Sequence, residues 1–188
     1  MRTLIFTLAL LLGACSSAPV LKDDSGQSLI GASHVYTLTN LHADPQRKRL
    51  FAVNYQQSEL IPLCTEVKLL DLSAKRLQFT STHNNVTYHY FYHKKAAAEP
   101  FDAHLKRYFG TSCNTAEVKA LSKTDQEGIS TGKVKEGMSK KGVILAAGYP
   151  PPHVTPSTDA NEWTYWKNRY DRFIVRFNDA GIVDSIQD

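Results

Sequence analysis

Residues 135–186 constrain the chain most, because they carry explicit helix start and stop signals and then alternate as strands do. Ser139 is a good N-cap, since its hydroxyl can accept from the free N–H groups of a first helical turn. Met138 before it can pack on Val143 as a hydrophobic staple, while Gly142 stands where Glu or Gln would complete a capping box. Gly148 suits a left-handed helix end, and Pro150 forbids continuation. The spacing predicts one short helix with Val143, Ile144 and Ala147 as its apolar face. A loop with Pro150, Pro151, Pro152 and Pro156 follows, extended and stiff without ladder bonds. Alternation then places Trp163 and Tyr165 on one face of a strand and Trp166 on the other. Phe173, Val175 and Phe177 line a second strand, and residues 178–181 turn it back, with Gly181 at the positive-φ position. A helix covering one face of a three-stranded antiparallel sheet buries these residues.

The N-terminal half reads as β. Residues 35–39, 50–55, 65–70, 76–80 and 86–93 are strand candidates bounded by turn signals, with 60–62 as an edge or a strand entry because of Pro62. The stretch 40–48, with Asp44-Pro45, reads as a turn. Several short strands at this spacing predict a small SH3-like barrel or sandwich. A helix follows, with Pro100 in its first turn, Asp102 at its positive end and Gly110 as its stop. Phe101, Leu105, Tyr108 and Phe109 form its apolar stripe. Residues 115–133 are polar and read as a linker holding at most one short helix around 116–121.

The first residues read as an export signal. Met1-Arg2 is followed by an apolar run over 4–12 and then Leu12-Gly13-Ala14-Cys15. This is the layout of a secretory signal, and the run falls well short of the ~20 residues a spanning helix needs. Leu12 to Cys15 resembles the bacterial lipobox, which implies cleavage after residue 14 and acylation of Cys15, palmitate included. Ser16 resembles the residue type that permits export to the outer membrane. Ordinary cleavage near Ala14, leaving Cys15 as a free thiol, is the alternative. Several acyl chains make a stable anchor where one is marginal. Residues 15–33, small and polar, then read as a flexible tether. Cys64 and Cys113 remain as an even pair in an oxidising compartment, so a disulfide is expected, with two buried free thiols as the alternative.

Composition and motifs exclude more than they assign. Twenty-two Lys and Arg against 18 Asp and Glu give a net charge of +4. No basic run is dense enough for a nucleic-acid footprint. There is no phosphate-binding glycine loop, dinucleotide fingerprint or nucleophile elbow. His89 and His93, four apart on a strand, are separated by about 13 Å and cannot share an ion. Cys113 with His104 is conceivable as a nucleophile–base pair, but a disulfide explains the Cys more simply. No cofactor, metal or catalytic residue is expected.

Gly137-Met138-Ser139, Val143, Gly148-Tyr149-Pro150, Trp163-Thr164-Tyr165 and the run 175–183 together resemble the BamE (SmpA/OmlA) lipoprotein domain. The likeness covers about the last 55 residues; the loop 149–161 and the region 35–113 depart from the short family members. The resemblance implies a non-catalytic, periplasm-facing outer-membrane lipoprotein that acts through protein contacts in envelope assembly or maintenance. In that family's case the contacts are within the β-barrel assembly machinery. The expected organisation is a signal peptide (1–14), a tether (15–33), an SH3-like β unit plus helix (34–114), a linker (115–133) and a BamE-like unit (134–188), an α+β chain. Trp166 with Arg169, exposed aromatic and cationic anchors, and the loop bearing Pro151 and His153 are the candidate partner-binding residues. Peptidoglycan binding by the β unit, or inhibition of a periplasmic enzyme as in the similar β-lactamase inhibitor proteins, are the rival readings.

Overall fold

The computed structural model describes residues 20–93 and 99–188. The expected signal peptide (1–14), Cys15 and Ser16 lie outside the described residues. The chain is a mixed α+β protein with a curled multi-strand sheet and few helices.

The first half contains β1 (Val35–Thr37), β2 (Leu41–Ala43), β3 (Arg49–Phe51), β4 (Glu59–Ile61), β5 (Glu66–Ser73), β6 (Arg76–Ser81) and β7 (Thr87–Phe91). They are followed by α1 (Phe101–Lys106) and β8 (Phe109–Gly110). Six of the strands form one sheet in the order β3-β7-β6-β5-β1-β8, and β2 pairs with β4 apart from it. Period-two burial drives the central strands: Leu77 and Phe79 on β6 and Tyr88 and Tyr90 on β7 face the core. A bulge at Leu70 shifts the register of β5 against β6 and leaves Leu70 48% exposed between buried Leu69 and half-buried Leu72. At the far edge β3 runs parallel to β7, with Leu50 opposite Tyr90.

Four local expectations are corrected. The 40–48 turn contains β2, whose three residues are all buried, so their apolar content outweighs the surrounding turn signals. Gly110 is not a helix stop: α1 ends at Lys106, and Gly110 pairs with Tyr36 in the sheet. A Cβ there would lie 3.2 Å from the Leu38 side chain, so the glycine serves close packing. The tether does not extend to residue 33. Leu21 and Leu29 are fully buried in the first core, and Gly31 N donates to Leu69 O. The linker is largely helical, forming α2 (Thr115–Lys119) and α3 (Lys123–Thr131). Cys64 and Cys113 are disulfide-bonded with their Cα atoms 5.5 Å apart, tying the loop after β4 to the segment after β8. Closing a loop of this length contributes about 4 kcal/mol in chain-entropy terms.

The C-terminal segment contains α4 (Lys140–Ala147), β9 (Glu162–Trp166), β10 (Arg172–Phe177) and β11 (Val183–Gln187). The strands form an antiparallel sheet in the order β11-β10-β9, and Gly181 turns β10 into β11 at φ 72°. Val143, Ala146 and Ala147 of α4 join Trp163, Tyr165, Val175 and Val183 in the second core.

Gly142 has a reason that the helix itself does not reveal. Ser139 Oγ accepts from Gly142 N, as an N-cap should, but the reciprocal acid comes from α3. The buried Asp125 carboxylate accepts from Ser139 N at 2.8 Å and from Ser139 Oγ. It also accepts from Ser122 Oγ, the N-cap of its own helix. One carboxylate therefore serves two helix N-termini, where negative charge is favoured. A Cβ at position 142 would fall 1.8 Å from Asp125 Oδ1. Gly142→Ala should raise helix propensity by about 1 kcal/mol yet destabilise the protein by about 2 kcal/mol, because Asp125 must leave its donors. Urea unfolding measures the difference; a stabilised variant contradicts the assignment.

Candidate partner-binding cleft

A short helix leaves its last carbonyls without intrahelical partners, and burying them demands donors from elsewhere. At α4 these donors come from the first half of the chain. Leu145 O accepts from Asn40 N at 2.9 Å. Ala146 O accepts from Asn40 Nδ2 and from His42 Nε2 at 3.1 Å, which places the His42 proton on Nε2. Ala147 O accepts from Asn54 Nδ2 at 2.8 Å and Gln56 Nε2 at 2.9 Å. Asn40 is fully engaged: Nδ2 also reaches Ile129 O, and Oδ1 accepts from Leu63 N. The two halves thus share one polar joint.

Aromatic residues extend it. The Arg107 guanidinium stacks 4.6 Å over the Tyr149 ring, and Tyr108 meets Tyr149 edge-on. Arg107 also pairs with Glu99. Buried His104 bonds Tyr90 Oη through Nε2 at 2.8 Å. Burial pushes the His104 and His42 imidazoles below their ordinary range and raises Tyr108 to about 12, so these groups remain uncharged. His104 and Cys113 are not a catalytic pair: the imidazole is committed to Tyr90 and the sulfur to Cys64.

Beside this joint the structure brings together three of the four expected binding residues. Tyr55 bridges to Trp166 in parallel, and Gln56 N donates to Trp166 O at 2.8 Å, so a segment of the first half covers the edge of β9. A cleft of about 100 Å³ results, lined by Val53, Tyr55, His153, Trp166 and Arg169. The exposed His153 ring lies parallel to the Trp166 indole at 6.4 Å and 9°. The Arg172 guanidinium lies 6.0 Å from the centroid of the Trp166 ring. Trp166 Nε1 is buried and has no hydrogen-bond partner among the described residues. Arg169 stacks 4.4 Å over Tyr170, which is 78% exposed.

Pro151 does not belong to this surface. It is buried, and its carbonyl accepts from Val154 N and Thr155 N, so it anchors the proline loop inward. Sequence reasoning missed Tyr55 and Val53, whose approach depends on the joint. Among the described residues, no group of three or more His, Cys, Asp or Glu side chains is placed to hold a metal ion. No described helix is long and apolar enough to cross a membrane. No family model, curated protein or solved structure matches the chain.

The joint has a pH dependence of defined sign. His42 and His104 have depressed pKa values in the folded state, so the unfolded chain binds protons first as pH falls. Their contribution to stability is complete above about pH 6.5 and declines as the pH drops below it, by at most about 1.4 kcal/mol per pH unit for each histidine. Urea unfolding at pH 7 and pH 5 should show this loss, and His104→Gln should reduce it.

Proposed function

We propose that this chain is a non-catalytic outer-membrane lipoprotein, anchored through acylated Cys15 and facing the periplasm. It acts in envelope assembly or maintenance by binding another envelope protein at the Trp166 cleft. The observation that carries this reading is the aromatic and cationic cluster of Trp166, His153, Arg169 and Tyr170, held on a sheet edge that the first half of the chain braces. Trp, Tyr and Arg in a pre-organised cleft are the residue types that dominate protein–protein binding energy.

The lipobox-like Leu12 to Cys15 supports the anchor. The helix on a three-stranded antiparallel sheet, entered at Gly137-Met138-Ser139 and left at Gly148-Tyr149-Pro150, supports a BamE-like reading of residues 134–188. The curled sheet of the first half is read as an SH3-like variant with an added parallel edge strand. In this reading the partner belongs to the envelope, with the β-barrel assembly machinery as the family's precedent.

Two measurements test it. Cys15→Ser should move the protein from the membrane to the soluble periplasmic fraction; unchanged membrane retention contradicts the anchor. A photo-crosslinking residue at Tyr170 in intact cells should give a discrete adduct that Trp166→Ala abolishes. The same crosslinker at exposed Lys68, on β5, should not give it. Identical adducts from both positions, or none from Tyr170, overturn binding at the cleft.

A further inference from the structure

The three-stranded sheet has two edges, and they are treated differently. At β9 the segment 55–57 lies against the edge, with Gln56 N donating to Trp166 O. At β11 the cover is only a beginning. Gly137 N donates to Val183 O at 2.8 Å, Val183 N to Met138 O at 2.7 Å and Lys140 N to Gly181 O at 3.0 Å, a short antiparallel pairing that stops at Val183. The register shift between Arg176 and Phe177 falls at this point. Beyond it, among the described residues, the backbone of residues 184–188 makes no hydrogen bond outside the β10–β11 ladder.

Where that incipient strand turns away, a groove of about 750 Å³ opens, with Leu60, Val134, Phe173 and Ile186 in its lining. Ile186 stands opposite Val175, which places it on the core face of the sheet, so the groove runs over that face from Lys167 and Phe173 to Ile186 at the edge. The two lysines in the lining differ. Lys167 is held by Asp188 at 3.0 Å and by Asp171. Lys133 is exposed and has no ion-pair partner among the described residues.

We propose that this edge and groove bind an extended, acidic segment of a partner protein as a fourth strand. Its backbone pairs with Ser185 to Gln187. One apolar side chain enters between Val134, Phe173, Ile186 and Leu60, and a carboxylate meets Lys133. Main-chain pairing supplies affinity in such strand addition, and the side-chain pockets supply selectivity. A second copy of this chain, pairing its own residues 184–188 antiparallel with this edge, is the rival occupant that the test must separate. This surface is separate from the Trp166 cleft and stands without it.

The probe is a short fluorescein-labelled peptide alternating Val and Glu, added to the full chain in detergent. Saturable binding by anisotropy, with slowed amide hydrogen exchange at residues 185–187, is expected. The same peptide N-methylated at alternate amides should not bind. Lys133→Glu, an exposed substitution, should weaken the Val/Glu peptide about fivefold and favour a Val/Lys peptide. Trp166→Ala should change none of this, which separates the result from the cleft. No binding of the Val/Glu peptide, equal binding of the N-methylated one, or indifference to Lys133→Glu overturns the proposal. Exchange protection that instead tracks self-association in sedimentation assigns the edge to a second copy and overturns it too.

Discussion

The hydrogen bonds that Asn40, His42, Asn54 and Gln56 make to the last carbonyls of α4 are the constraint on which the rest depends. A helix end in water needs no such help. This one is enclosed, and each unmet carbonyl would cost about 1–3 kcal/mol. The first half therefore presents amide and imidazole donors where an ordinary sheet surface would present side chains of any polar kind. Because the donors and the carbonyls meet in fixed directions, the angle between the halves is set by bonds rather than by apolar contact alone. The Trp166 cleft inherits that definition, since Tyr55 follows directly on Asn54.

Asp125 plays the matching role at the other end of α4. A buried carboxylate is expensive unless every oxygen is bonded, and here Ser122 and Ser139 supply hydroxyl and backbone donors to both oxygens. Both ends of one eight-residue helix are thus completed by groups distant in sequence. Such a helix is too short to be stable alone, so its order is a property of the assembled chain.

This explains what was legible in the sequence. Ser139, Gly148 and Gly181 announce their elements because caps and turns are local events, and the Trp163–Tyr165 alternation announces the buried face. The strand alternation of Leu77, Phe79, Tyr88 and Tyr90 is equally plain. Alternation names no partner, however, so the parallel pairing of β3 with β7 and the separate β2–β4 pair were not readable. Asp125 and Asn40 look like ordinary polar residues until their partners are in view, and the α3 region consequently reads as a linker. Of the candidate binding residues, Trp166, His153 and Arg169 converge because strand parity and the loop bring them together. Pro151 fails because a stiff loop need not be an exposed one.

The burial of Leu21 bears on where this protein can work. Five residues separate it from Cys15 in the sequence. Even fully extended, that stretch reaches only about 20 Å. If Cys15 is acylated as proposed, it would act as a short leash, holding the folded body almost against the bilayer. Its binding surfaces would sweep a thin layer of space, and any partner would have to present its own contact at that height.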